Sequence, residues 1–179
     1  MRQTIMMICC MLLFTSSALA ASSKIGVVNM QKIIATSEPG QAAMKTLQDK
    51  FKDEKVKMDK QKEAIQTLQQ ELQKQEYVLS QEAKEDKQLA YKRKVRDFQD
   101  MYRSLQRKIK IEEQKLSEPV IKLVVDVITT YGKKQGYTTI SDAQASGLIY
   151  VDPKADLTET ILVEVNRAWR ASKKGKGTK

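Results

Sequence analysis

Three kinds of residue in this sequence could do chemistry: paired carboxylates, nucleophiles with a base, and clustered cations. The carboxylates pair at Asp97/Asp100, Glu112/Glu113 and Asp156/Glu159. Two carboxyls one helical turn apart can divide acid–base work only where a pocket drives their pKa values apart. The first two pairs stand in Lys-, Gln- and Glu-rich helical sequence with no pocket-forming segment nearby, so they read as ion-pairing partners. Asp156 and Glu159 fit a D-x-x-E capping box at the start of a helix. Nucleophiles fare worse. The chain has no His, which removes Ser–His and Cys–His pairs and the commonest metal ligand. Its two cysteines are the adjacent Cys9 and Cys10. No metal-ligand spacing or phosphate loop is present, so the reading is of a non-enzyme with no catalytic, cofactor-binding or metal residues and no cofactor.

That leaves the cations. The formal net charge is +10, which favours anionic partners such as acidic proteins, lipid head groups or nucleic acid. The excess is local. Between residues 92 and 110 stand Lys92, Arg93, Lys94, Arg96, Arg103, Arg107, Lys108 and Lys110 against only Asp97 and Asp100. Such a stripe attracts acidic clients or the head groups of anionic lipid and lipopolysaccharide, in a salt-dependent way. The competing reading is a solvated helix face.

The elements that must carry this stripe are long helices. From Gln41 to about Leu116 there is no Gly or Pro, and helix formers dominate. One apolar series runs Leu47, Phe51, Met58, Ile65, Leu68, Leu72, Leu79 at steps of three, four or seven. A second runs Tyr91, Val95, Phe98, Tyr102, Leu105, Ile109, Leu116. The phase is lost between them, and Ser80 can cap a new helix. Folding back sets Leu72 near Tyr91, Leu68 near Val95, Ile65 near Phe98 and Met58 near Leu105. This predicts a hairpin arm over residues 41–116, roughly 60 Å long, with a seam of Leu47, Phe51, Met58, Ile65, Leu68, Leu72, Tyr91, Val95, Phe98, Tyr102, Leu105 and Ile109. A single unbroken helix is the alternative. Tyr77, Val78, Leu79, Leu89 and Tyr91 fall near the tip and read as the end of that seam.

The ends of the chain have a different texture. Residues 1–20 carry Arg2, the apolar run Ile5 to Phe14 and Ala18-Leu19-Ala20. That is the pattern of a signal peptide cleaved after Ala20, so the expected address is the periplasm. KIGVVNM, Lys24 to Met30, reads as a strand, and TSEPGQ as a helix start capped by Ser37. Pro119 can start or kink a helix whose apolar face is Val120, Leu123, Val124, Val127, Ile128 and Tyr131. Gly136 suits its C-cap. Tyr137 to Ile140 and Leu148 to Val151 read as two more strands, and Leu157, Ile161, Leu162, Val165 and Trp169 as one face of a closing helix. Residues 171–179, SKKGKGTK with the preceding Ala171, read as a basic disordered tail.

The expected fold class is therefore α+β: a small β-sheet-containing head from residues 21–40 and 117–170, with a long protruding α-helical coiled-coil hairpin. The head core, or the oligomer core formed with it, would hold Ile25, Val27, Val28, Leu148, Ile149, Tyr150, Val151, Ile161 and Val165. A head of roughly 75 residues is marginal alone, so oligomerisation through it is expected.

KIGVVNMQKII, LSEPVIKLV, GYTTIS and above all GLIYVDPKADLTETIL stand in the order of the Skp/OmpH family of periplasmic chaperones, which the chain resembles over nearly all of residues 21–170. The resemblance implies a homotrimer whose hairpins hang from joined heads like tentacles. It implies a cage for unfolded outer-membrane β-barrel proteins, held without ATP as an aggregation-preventing holdase during transit to the outer membrane. The alternative is a structural coiled-coil envelope protein binding anionic lipid or lipopolysaccharide. A signal peptide argues against a nucleic-acid partner.

Overall fold

The computed structural model describes residues 23–75 and 77–176. The expected signal peptide lies outside the described residues. Strand β1 spans Ile25–Val28 and is followed by helices α1, Met30–Thr36, and α2, Glu38–Lys50. After a one-residue break come α3, Lys52–Lys74, and α4, Gln81–Gln135. The chain closes with β2, Thr139–Asp142, a 3-10 turn at Pro153–Ala155 and α5, Thr158–Lys176.

Side-chain caps set most of these boundaries. Asn29 ends β1 and begins α1, its carboxamide oxygen accepting from the Lys32 N–H at 2.8 Å. Ser37 caps α2, its hydroxyl accepting from the Gly40 N–H, with Pro39 in the first turn. Gly40 has no substitute there, because a Cβ would stand 1.7 Å from the Ile34 carbonyl oxygen. Ser80 caps α4 by accepting from the Ala83 N–H at 3.3 Å, as the sequence predicts. Gly136 closes α4 in the left-handed region, at φ 68°.

β1 and β2 form a two-stranded parallel sheet with Ile25 opposite Thr139 and Val28 opposite Asp142. β2 starts two residues later than Tyr137, where the sequence pattern places its start. Tyr137 still belongs to the α4 cap, donating its N–H to the Gly132 carbonyl at 2.9 Å. Its ring rests on Tyr131, with Lys24 over its face. The strand expected over Leu148 to Val151 does not form. The far edge of β1 is already taken: Asp156 bridges Val27, and the Leu157 N–H donates to the Val27 carbonyl at 2.8 Å. Residues 148–150 pair with neither strand and lie exposed.

The core is Val28, Ile33, Val124, Leu157, Ile161 and Val165, packed by Leu123, Val127, Ile128, Tyr131, Tyr137 and Ile140. It draws on β1 and α1 from one end of the chain and on late α4 and α5 from the other. Polar ties close the same body. Asn166 accepts from the Glu38 N–H at 2.8 Å, and Arg170 pairs with the Glu38 carboxylate, which it holds below the usual range. Asp156 caps α5 by accepting from the Thr158 N–H and hydroxyl, and these bonds lower its pKa. Glu159 does not complete the expected capping box. It pairs with Lys32 on α1 at 2.7 Å, so an interhelix ion pair wins over the local bond.

One further expectation narrows and another changes. Pro119 does not start a helix; it sits inside α4, the place the kink alternative gives it. A proline there costs about 3 kcal/mol, and burial of Val120 and Val124 directly after it offsets that cost. Helix α5 runs to Lys176, so residues 171–176 of the expected tail are helical. The Ser172 hydroxyl donates to the Trp169 carbonyl, and Lys173 lies over the Trp169 ring. Residues 177–179 lie outside the described residues.

Candidate functional site

α2 and α3 lie antiparallel to α4 and form the hairpin. Lys50 pairs with Glu112 at 2.7 Å, and Lys87 donates to the Gln75 side chain. Both pairs fall within one residue of the register that sets Met58 opposite Leu105. The Lys50 ammonium holds the Glu112 carboxyl below its ordinary pKa. Asp100 pairs with Arg103. These carboxylates are thus committed to ion pairs on helix surfaces. Among the described residues no three His, Cys, Asp or Glu gather into a metal-holding group.

The seam is thin. Leu47, Phe51, Ile65, Leu68, Leu72, Tyr91, Val95, Phe98, Leu105 and Ile109 are all half-buried, and only Met58 is buried. Tyr102, expected in the seam, is 49% exposed. A two-helix arm has a single contact line, so each seam residue keeps one flank in water. At residue 51 the first limb of the hairpin is interrupted, with Phe51 at φ −104°, ψ 9°. Around this break opens a groove of about 990 Å³, floored by Leu47, Phe51, Met58, Phe98, Tyr102 and Leu105. A second groove, about 910 Å³, lies at the neck among α1, α2 and α4, where Ile34, Met44 and Leu116 face it.

All eight residues of the basic stripe are exposed. At 100° per residue they do not make one face. Lys92, Arg96, Arg103, Arg107 and Lys110 fall to one side of the α4 seam, Lys94 and Lys108 to the other, and Arg93 opposite it. At the tip, Tyr77 and Val78 are 93% and 83% exposed. They do not finish the seam, because α3 stops at Lys74 and the turn carries them outward.

In the head, Val27, Val28, Ile161 and Val165 are buried and Val151 is half-buried. Four residues of the expected head or oligomer core are uncovered in the single chain: Ile25 is 58% exposed, and Leu148, Ile149 and Tyr150 are exposed. Ile25 is the first residue of β1, at the open end of the sheet. The other three belong to the segment that finds no strand partner. Ile121, Val125 and Val163 are exposed as well, and the sequence pattern did not single them out. The signal was there for two of them: VIKLVVDVI is apolar on more than one helix face, so a single covered face cannot satisfy it.

The model of the family described as Outer membrane protein (OmpH-like) matches residues 24–165. Among solved structures, the chain is similar to a candidate outer-membrane chaperone (OmpH-like) from Caulobacter crescentus CB15, with a TM-score of 0.58 and 16% identity. The likeness covers 82% of this chain and 85% of that one. No curated protein matches significantly. The family match spans sheet, hairpin and closing helix together, including the GLIYVDPKADLTETIL segment, and on that match this chain belongs to the OmpH-like family.

Proposed function

We propose that the protein is an ATP-independent holdase chaperone of the periplasm. It would capture unfolded outer-membrane proteins between the helical arms of a homotrimer and prevent their aggregation in transit. One observation carries the reading. A small, well-packed head bears a slender hairpin whose seam is only half-closed and whose flank is cationic, while the head itself leaves Ile25, Leu148, Ile149 and Tyr150 uncovered. Uncovered apolar side chains on a marginally sized body favour self-association. Joining three heads would place three arms around one space. Many weak apolar and charge contacts from those arms would hold a client soluble while leaving it mobile. The exposed Tyr77 and Val78 would meet the client at the arm ends.

The test is light scattering as an unfolded outer-membrane β-barrel is diluted from urea with the protein present. Suppression at one trimer per client is expected, and its absence would sink the reading. Sedimentation equilibrium should return a trimer; a monomer at micromolar concentration removes the cage. Strong binding to anionic vesicles without client protection would favour an envelope-binding coiled coil instead.

A further inference from the structure

We propose that the groove at the Phe51 break is a built receptor for apolar client side chains flanked by carboxylates, so that the arm selects acidic–apolar segments. This rests on the holdase reading and names what the arm would hold.

The two sides of the seam are not equivalent. On α4 the apolar positions Tyr91, Val95, Phe98, Tyr102, Leu105 and Ile109 follow one another by fours and threes, with no position missed. On the opposite side the series jumps by seven, from Phe51 to Met58 and from Met58 to Ile65. The skipped positions are Glu54 and Gln61, and one residue on from each stand Lys55 and Lys62, exposed beside the seam and in the wall of the groove. A lysine beside the seam lays its stem along apolar surface and keeps its ammonium in water. It cannot fill the space a leucine would fill. The aromatic and aliphatic side chains of α4 therefore face an under-filled strip, and the half-exposed Tyr102 is the direct sign of it.

The charge of the lip names the occupant. Lys52, Lys55 and Lys62 border the groove, and among the described residues none of them has an ion-pair partner. Asp49 and Asp59 border it too, leaving a cationic excess. An aromatic or branched side chain from an extended segment would enter over Met58, Phe98 and Leu105. A neighbouring Asp or Glu would meet Lys55 or Lys62, at low cost because the ammonium groups are already at the water boundary. A basic segment would meet like charge instead.

The experiment uses the full protein and a fluorescein-labelled peptide alternating Phe with Asp, read by anisotropy against its Phe/Lys counterpart. The Phe/Asp peptide should bind about tenfold tighter or better, a difference of about 1.4 kcal/mol. The double variant Lys55→Leu/Lys62→Leu fills the strip. It should melt at a higher temperature than the wild type and lose at least about tenfold in affinity for the Phe/Asp peptide. Lys55→Gln/Lys62→Gln leaves the groove open and should bind the two peptides alike. Equal wild-type binding of both peptides, or undiminished binding by the leucine variant, overturns the assignment. So does displacement by oleate with no peptide binding, which would make the groove an acyl-chain site. The light-scattering assay separates this idea from its parent. A wild type that fails to protect a client removes the holdase reading. A wild type and leucine variant that protect equally remove only the groove.

Discussion

The head and the arm are built from similar residues and closed to different degrees. In the head, Ile33, Val124, Ile161 and Val165 are fully buried, and the helix starts at Asn29 and Glu38 are tied to Thr158 and Asn166 on α5. Among the described residues of the arm, only Met58 reaches burial. The difference is one of layers. Several elements surround the head core, whereas at any level along the arm beyond the neck a helix faces one other helix. A body with a closed core can hold shape and dock to copies of itself. A rod with one open seam stays folded through helix propensity and a thin contact line, and it keeps apolar surface at the water boundary where another chain can reach it.

Breaking that contrast at the head should have the largest effect. Ile149→Asp with Tyr150→Asp should leave the fold intact, since both side chains are exposed in the single chain. On the proposed reading it should convert a trimer to a monomer in sedimentation equilibrium. A trimer that survives would mean the open head surface is not the assembly surface. Next comes the core. Ile161→Ala should lower unfolding stability by about 3 kcal/mol, read from urea denaturation, whereas Leu68→Ala in the half-buried seam should cost about 1 kcal/mol. Similar losses at both sites would deny that the regions differ in closure.

The capping serines give a smaller version of the same test. Ser37→Ala removes a buried cap and should cost about 1 kcal/mol of global stability. Ser80→Ala acts at the solvated tip and should show mainly as faster hydrogen exchange over residues 81–84, with little change in the global midpoint. The smallest effect is acid sensitivity. Glu38 and Asp156 in the head, and Glu112 in the arm, all have lowered pKa values. A carboxyl lowered on folding contributes stability that is complete above its unfolded pKa and lost as pH falls through its folded one. The melting temperature should therefore hold above the ordinary glutamate value of 4.5 and fall below it. Glu38→Gln should flatten that fall more than Glu112→Gln does, because Glu38 ties α2 to the closed body.

Much of the frame is legible in the residue pattern alone. Ser37, Ser80 and Gly136 mark helix ends because each chemistry solves a local problem of unpaired backbone groups. The heptad phase break locates the hairpin, and the pairing of Met58 with Leu105 lies within a residue of the register that the Lys50–Glu112 pair sets. What misleads is long-range. Leu148 to Val151 has strand composition, but Asp156 and Leu157 hold the far edge of β1 and the segment pairs with neither strand. Pro119 is compatible with a helix start or a helix interior, and it stands in the interior, with Val120 and Val124 buried beyond it. Glu159 has the spacing of a capping residue and a better partner in Lys32.

The sequence by itself determined the arm helices, the caps at Ser37, Ser80 and Gly136, the seam period and the skipped positions at Glu54 and Gln61. These depend on neighbours within about one turn, whose geometry the backbone fixes. Only the tertiary structure decided which apolar residues were covered. Burial is set by what packs from outside an element, and so Ile25, Ile149 and Tyr150, with strand-like composition, stand at the surface while Ile33 does not. It likewise took the two arm helices side by side to turn a gap in a heptad pattern into a groove with a cationic lip.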